Sequence, residues 1–220
     1  MRFRSAALTV IAFAAAMAYL ESAVVVYLQR ALQITPDQLF PLRGPEMVGD
    51  LAGIEVGREF ATLVMLAGIG WLTGRNWLER LAWTGVAFGI WDVFYYVWLW
   101  VFIGWPHSPG TWDVLFLIPV PWIGPVWAPV VVSGALFGFG LAAARSMAAG
   151  AELRAGRREV VLGVTGGLLV VLSFTADAPH IMAGGTPGWF PWPLFLAGMG
   201  SAACGAALVL RREVRATPAT

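Results

Sequence analysis

The stretch LAWTGVAFGIWDVFYYVWLWVFI, residues 81–103, decides the fold: 23 residues with a single charged side chain, Asp92. About 20 consecutive apolar residues cross the hydrocarbon core of a bilayer. This segment is therefore read as a membrane span with one carboxylate near its middle. Working outward, comparable stretches lie near residues 6–28, 51–73, 114–144, 159–177 and 193–210. The composition agrees, with 59% hydrophobic and 12% charged residues and a mean hydropathy of +0.73, against about 25% charged in a soluble domain. An all-α integral membrane protein is expected, a six-transmembrane-helix bundle in which residues 1–220 form a single domain. The longest polar connection, residues 29–50, is too short to be a separate soluble domain.

Charge orients the bundle. Every Lys/Arg position is Arg. Eleven of them (Arg2, Arg4, Arg75, Arg80, Arg145, Arg154, Arg157, Arg158, Arg211, Arg212 and Arg215) fall at alternate connections beside four glutamates (Glu79, Glu152, Glu159 and Glu213), a net of +7. The other side and the spans leading into it hold Arg30, Arg43 and Arg58 against nine acids (Glu21, Asp37, Glu46, Asp50, Glu55, Glu59, Asp92, Asp113 and Asp177), a net of −6. Short Arg-rich loops stay in the cytoplasm, so N- and C-termini are expected there, in a bacterial inner membrane. Arg2 and Arg4 before an apolar stretch ending in Ala16-Met17-Ala18 have the shape of a signal peptide. The apolar character runs on through Leu28, however, and an uncleaved first helix is expected. No run of arginines interleaved with aromatics marks a nucleic-acid surface. The expected partner is the lipid bilayer. The sole cysteine, Cys204, permits no intrachain disulfide and is read as a small core residue.

Thirteen of the fourteen prolines fall toward the outer side. Six of them, Pro106, Pro109, Pro119, Pro121, Pro125 and Pro129, lie between Trp105 and Pro129. Each removes a donor and crowds the preceding turn, so the fourth span is proline-broken: a broken or re-entrant stretch is expected around Ile118 to Pro125, with regular helix from near Val126. Such backbone survives at membrane depth only where protein or a water-filled cavity satisfies it. Trp98, Trp100, Trp105, Trp112, Trp189 and Trp192 are read as an outer aromatic belt and Trp71, Trp77 and Trp83 as an inner one. Gly163, Gly166 and Gly167, with Gly198, Gly200 and Gly205, are packing signals between the fifth and sixth spans. No internal repeat is visible.

The acids carry the functional question. At about 1.5 Å per helical residue, Glu21 lies on the order of 10 Å below the outer surface, Glu55 about 6 Å and Glu59 about 12 Å, with Asp92 near the middle; Asp113 and Asp177 sit at outer helix mouths. An ionised acid at a helix centre costs about 2.5–3.5 kcal/mol on insertion scales, so these groups must be protonated, paired or coordinated. Glu55 and Glu59 are four apart on one face, and Arg58 can fold back toward Glu55. One arginine does not neutralise both glutamates and Glu21 as well. Asp92 is expected to accept from Tyr95 or Tyr96, three and four residues on.

His180 follows Asp177 by three residues, and His107 lies in the loop before Asp113, where it is placed to cap a site from outside. Carboxylates and imidazole suit iron, manganese or zinc. The expected metal ligands are Glu21, Glu55, Glu59, Asp177 and His180, supported by Arg58, Asp92, Tyr95, Tyr96, His107 and Asp113. Two histidines with four or more carboxylates match the donor inventory of di-metal sites in helical bundles, but those carry Glu-x-x-His on two helices and here one Asp-x-x-His occurs. Haem is not favoured, because both histidines lie in loops and C-x-x-C-H is absent. H-E-x-x-H, G-x-S-x-G, Walker and dinucleotide motifs are absent too. Three functions fit. The first is a metal-dependent membrane oxidoreductase or hydrolase acting on a lipophilic substrate in an outward-facing cavity. The second is a proton- or cation-coupled transporter using the same carboxylates, and the third a structural subunit of a larger membrane complex.

Overall fold

The computed structural model describes residues 3–35, 38–41 and 51–216. Arg2, Asp37, Arg43, Glu46 and Asp50 of the charge pattern lie outside the described residues, as do the side chains of Glu213 and Arg215. In chain order the elements are α1 (Phe3–Ala31), α2 (Leu51–Thr73), α3 (Trp77–Ile103), β1 (Trp112–Phe116), β2 (Trp122–Pro125), α4 (Trp127–Ala148), α5 (Arg157–Thr175), the short α6 (Ala178–Met182) and α7 (Trp192–Ala216). The chain is mostly helical. Five helices, α1, α3, α4, α5 continued through α6, and α7, are long and apolar enough to cross a membrane, the pattern of a multi-pass membrane protein. Helix α2 is as long, but concentrates Glu55, Arg58 and Glu59 within two turns.

Helix α3 is the hub, packed against α1, α2 and α4. On α1, Val10, Ala14, Met17, Ala18 and Glu21 recur at intervals of three and four and form one buried stripe. That stripe meets Trp83, Val86, Ala87 and Trp91 of α3. The ends of α3 are fixed locally: the Asn76 side chain accepts from the Glu79 amide at the start, and Gly104 takes φ 70° at the end while its amide donates to the Trp100 carbonyl. A side chain at Gly104 would be strained in that left-handed conformation.

Apolar burial gives helices little reason to associate in lipid, so close backbone approach and van der Waals contact carry the packing. A Cβ at Gly89 of α3 would run into the Ser133 carbonyl of α4, and one at Gly140 of α4 into the Ala82 carbonyl of α3. Between α5 and α7, Gly166, Gly198 and Gly205 provide the close approach, whereas a Cβ at Gly163, Gly167 or Gly200 would meet nothing within 4 Å. The packing signal in those glycines is thus divided: half face the partner helix. The α5–α7 pair joins the rest near the C-terminal end of α5 and the start of α7 through an aromatic cluster, in which Trp127 stacks on Trp192 (4.1 Å between centroids, 9° between planes) beside Phe174, Phe190 and Phe195. Elsewhere a crevice of about 370 Å³, lined by side chains such as Leu81, Leu136, Phe139 and Leu210, separates α3 and α4 from α5 and α7.

The proline-rich segment is a hairpin rather than a broken helix. β1 and β2 pair antiparallel, with Trp112 opposite Pro125, Asp113 opposite Gly124 and Val114 opposite Ile123, and a bulge before Phe116. Trp, Val, Phe and Ile suit strands, and the prolines fall where a hairpin tolerates them, with Pro119 and Pro121 in its loop and Pro125 at a strand end. Regular helix then starts at Trp127 after Val126, and Pro129 sits in the first turn of α4, where its missing donor is not needed. The two strands satisfy part of the segment's backbone by pairing with each other, and the Val126 and Trp127 amides donate to the Thr111 and Pro109 carbonyls.

The tryptophans divide as well. Trp71, Trp77, Trp100 and Trp189 are exposed as a belt requires, but Trp83 and Trp105, assigned to the belts from sequence, are buried in the bundle. Both pack into clusters around α3, which is apolar on every side because it is surrounded by helices.

Gly89→Val is expected to lower the thermal midpoint of the purified protein by several degrees, the cost of about 1–3 kcal/mol typical of overpacking. Gly134→Val, one helix away with nothing within 4 Å, should leave that midpoint unchanged in the same detergent.

Candidate functional site

Helix α2 carries Glu55, Arg58, Glu59 and Thr62 at offsets of three, four and seven, so all four lie on one face. That face meets Glu21, toward the C-terminal end of the buried stripe on α1. Arg58 Nε and Nη2 donate to Glu55 Oε2 at 2.9 and 2.8 Å, while Nη1 pairs with Glu21 Oε2 across the helix boundary. The Thr62 hydroxyl donates to the other Glu21 oxygen. One guanidinium thus serves two carboxylates on two helices. Glu59 accepts instead the backbone amide of Leu117, in the hairpin loop, at 2.8 Å.

The remaining acids are held by neutral donors. Ser133 Oγ donates to Asp92 Oδ2 at 2.8 Å, and Tyr96 donates to Asp113 Oδ2 at 2.9 Å while the Val114 amide donates to Asp113 Oδ1 at 2.8 Å. The expected Tyr to Asp92 bond within α3 is therefore replaced by two bonds between elements. Gly89 lets α4 approach closely enough for the short Ser133 side chain to reach Asp92, and the long Tyr96 ring carries its hydroxyl on to the hairpin. Burial pushes the Asp113 carboxyl up from 3.8 to about 7, against the opposing pull of its Tyr96 and Val114 donors.

Glu21, Glu55, Arg58, Glu59, Asp92, Tyr95, Tyr96 and Asp113 all line one cavity of about 240 Å³, together with Thr62, Trp91, Trp105 and the hairpin residues Val114 to Leu117. Asp177 and His180 do not line it, so the structure does not bring them together with the glutamates. Asp177 occupies the position before the short α6, and His180 is exposed with its ring against Gly185. Helix α5 packs chiefly on α7, so its C-terminal end does not come to the face shared by α1 and α2. His107 is exposed in the loop after α3 and is likewise not among the lining residues.

Among the described residues no three His, Cys, Asp or Glu side chains are grouped so as to hold a metal ion. The carboxylates line the cavity without converging on a point: Glu21 and Glu55 share Arg58, while Glu59, Asp92 and Asp113 are drawn to Leu117, Ser133 and Tyr96. Sequence reasoning missed Thr62, Ser133, Trp91, Trp105 and the Leu117 amide. Thr62 was readable, since it continues the i, i+4, i+7 face of Glu55 and Glu59. The others depend on which helices become neighbours.

Removing Arg58 leaves two carboxylates uncompensated. Arg58→Leu is expected to cost up to about 3–5 kcal/mol, the range for breaking a buried pair, and less to the extent that the Arg58 side chain is 24% exposed. Adding Glu21→Gln should restore part of the loss in an unfolding titration, whereas a purely steric role for Arg58 would make the two changes additive. Asp113 gives a pH signature. An acid whose folded pKa is raised favours the folded state below its unfolded pKa and withdraws that contribution as pH rises to the folded value. Stability should therefore fall between about pH 4 and pH 7, by at most about 1.4 kcal/mol per pH unit. Asp113→Asn should flatten that slope in thermal melts. No family model matches the chain, and no curated sequence or solved structure is similar enough to assign it a relative.

Proposed function

We propose that the chain is a proton- or cation-coupled carrier of a bacterial inner membrane, with α2 as a sixth span, both termini cytoplasmic and the carboxylate-lined cavity in the outer half. The observation that carries this reading is the acid excess on the cavity wall. Glu21, Glu55 and Glu59 face Arg58 alone among the described cationic side chains that line it. At least two negative charges are then left for a proton or another cation to balance. Ionisable groups at that depth mark ion and proton pathways. The link between Glu59 and the hairpin supplies a coupling device: the ionised carboxylate is the stronger acceptor for the Leu117 amide, so protonation at Glu59 loosens the hairpin that forms one wall of the cavity. A change in charge becomes a change in access.

The metal-dependent enzyme acting on a lipophilic substrate is the second reading, supported by five carboxylates on one cavity wall and weakened by their separate hydrogen-bond partners. Stoichiometric iron, manganese or zinc in the purified protein would shift the assignment to it.

Proteoliposomes loaded with a pH-sensitive dye and given an acidic interior test the carrier. External Na⁺ or K⁺ should drive proton efflux through the wild type, and Glu59→Gln should reduce the rate at least tenfold. A dye trace identical to protein-free vesicles for both cations overturns the proposal, as does full activity in Glu59→Gln.

A further inference from the structure

Beside its acids the cavity has an aromatic wall. Phe116 and Trp91 approach with centroids 6.2 Å apart, Trp91 and Tyr95 6.4 Å, Tyr95 and Tyr96 5.2 Å, and Tyr96 and Trp105 6.1 Å. All five rings line the cavity. They form a continuous band from the hairpin, along α3, to the loop beyond it. Trp91 and Trp105 are only 7% and 3% exposed, yet the indole Nε1 of each is buried without a hydrogen-bond partner among the described residues. A buried donor left unpaired costs about 1–3 kcal/mol. Two of them at the wall of one cavity mark places where an acceptor belongs.

A bare inorganic ion uses only the carboxylates. Aromatic faces attract organic cations, above all quaternary ammonium groups, and the indole N–H groups ask for an oxygen acceptor on the same molecule. The volume, about 240 Å³, lies below the roughly 300–1,000 Å³ of drug-sized sites, so the occupant is small. We infer that this cavity takes a small organic monocation, an ammonium centre on a short apolar body bearing one ester, ether or hydroxyl oxygen. The inference rests on the carrier reading in taking the cavity as a ligand site, and names its substrate class. Glu21, Glu55 and Glu59 balance the charge, the Trp91 to Tyr96 rings hold the ammonium, and one of the two indole donors orients the oxygen.

Acetylcholine serves as a purely chemical probe, because it combines those groups in ten non-hydrogen atoms and has a neutral isostere, 3,3-dimethylbutyl acetate, of the same shape. Binding is read in detergent, without any gradient, by titration calorimetry and by tryptophan fluorescence. Saturable binding of acetylcholine at least tenfold tighter than the isostere is expected. Glu59→Gln should weaken it about tenfold and Asp177→Asn, outside the cavity, should leave it unchanged. Equal affinity for the two probes, or no saturable binding of acetylcholine to wild type, overturns the inference. The wild-type comparison needs no variant to fold. Discrimination without Na⁺- or K⁺-driven proton flux defeats the inorganic-cation carrier alone, whereas flux without discrimination defeats this assignment alone.

Discussion

The rest of the site depends on the Arg58 guanidinium shared between Glu55 on its own helix and Glu21 on α1. Without that bridge, α1 and α2 would set two carboxylates against each other in a low-dielectric interior, where an unpaired charge costs several kcal/mol. With it, the two helices are tied at the cavity that both of them line. Arg is suited to this because its fork has several donors in fixed directions and stays charged at any accessible pH. The acids of the Arg-rich loops are treated differently. Glu79 pairs with Arg75 and Glu159 with Arg212, and each carboxylate also accepts a backbone amide just before a helix, from Arg75 and from Gly156. There the carboxylates hold helix starts, and neither lines the cavity of Glu21, Glu55 and Glu59.

The hairpin completes what the helices leave open. Three helices supply side chains, and β1 with the start of the loop after it supplies a further wall and the Leu117 amide that donates to Glu59. Asp113 anchors β1 to α3 through Tyr96, and Glu59 anchors the loop to α2 through Leu117. One of these anchors titrates near neutrality because burial raises Asp113 to about 7. The hairpin is thereby attached to two helices through carboxylate hydrogen bonds, separate from the backbone ladder that pairs its own strands.

Much of the architecture was readable before any coordinates. Apolar runs of span length placed the helices, the cluster of prolines located the interruption before Val126, and the depth of Glu21, Glu55, Glu59 and Asp92 within their spans pointed to a shared polar interior. Spacing on one helix foretold the Arg58 to Glu55 pair. Contacts between elements were less legible. Nothing in the order of residues reveals that Gly89 brings Ser133 to Asp92, that a backbone amide at 117 faces Glu59, or that Asp177 and His180 are carried off by a helix committed to α7. Proline counts said that a helix fails there; they did not say that strand-forming Trp, Val and Ile would close into a hairpin.

The long crevice between the α3–α4 and α5–α7 pairs has a mechanical consequence. Its walls are almost wholly aliphatic, a surface matched to acyl chains rather than to water. The two halves are held together at one end, where Trp127 stacks on Trp192 and Trp122 on Phe174. That aromatic seam is the route by which α5 and α7 feel the charged chamber, which is built from α1, α2, α3 and the hairpin.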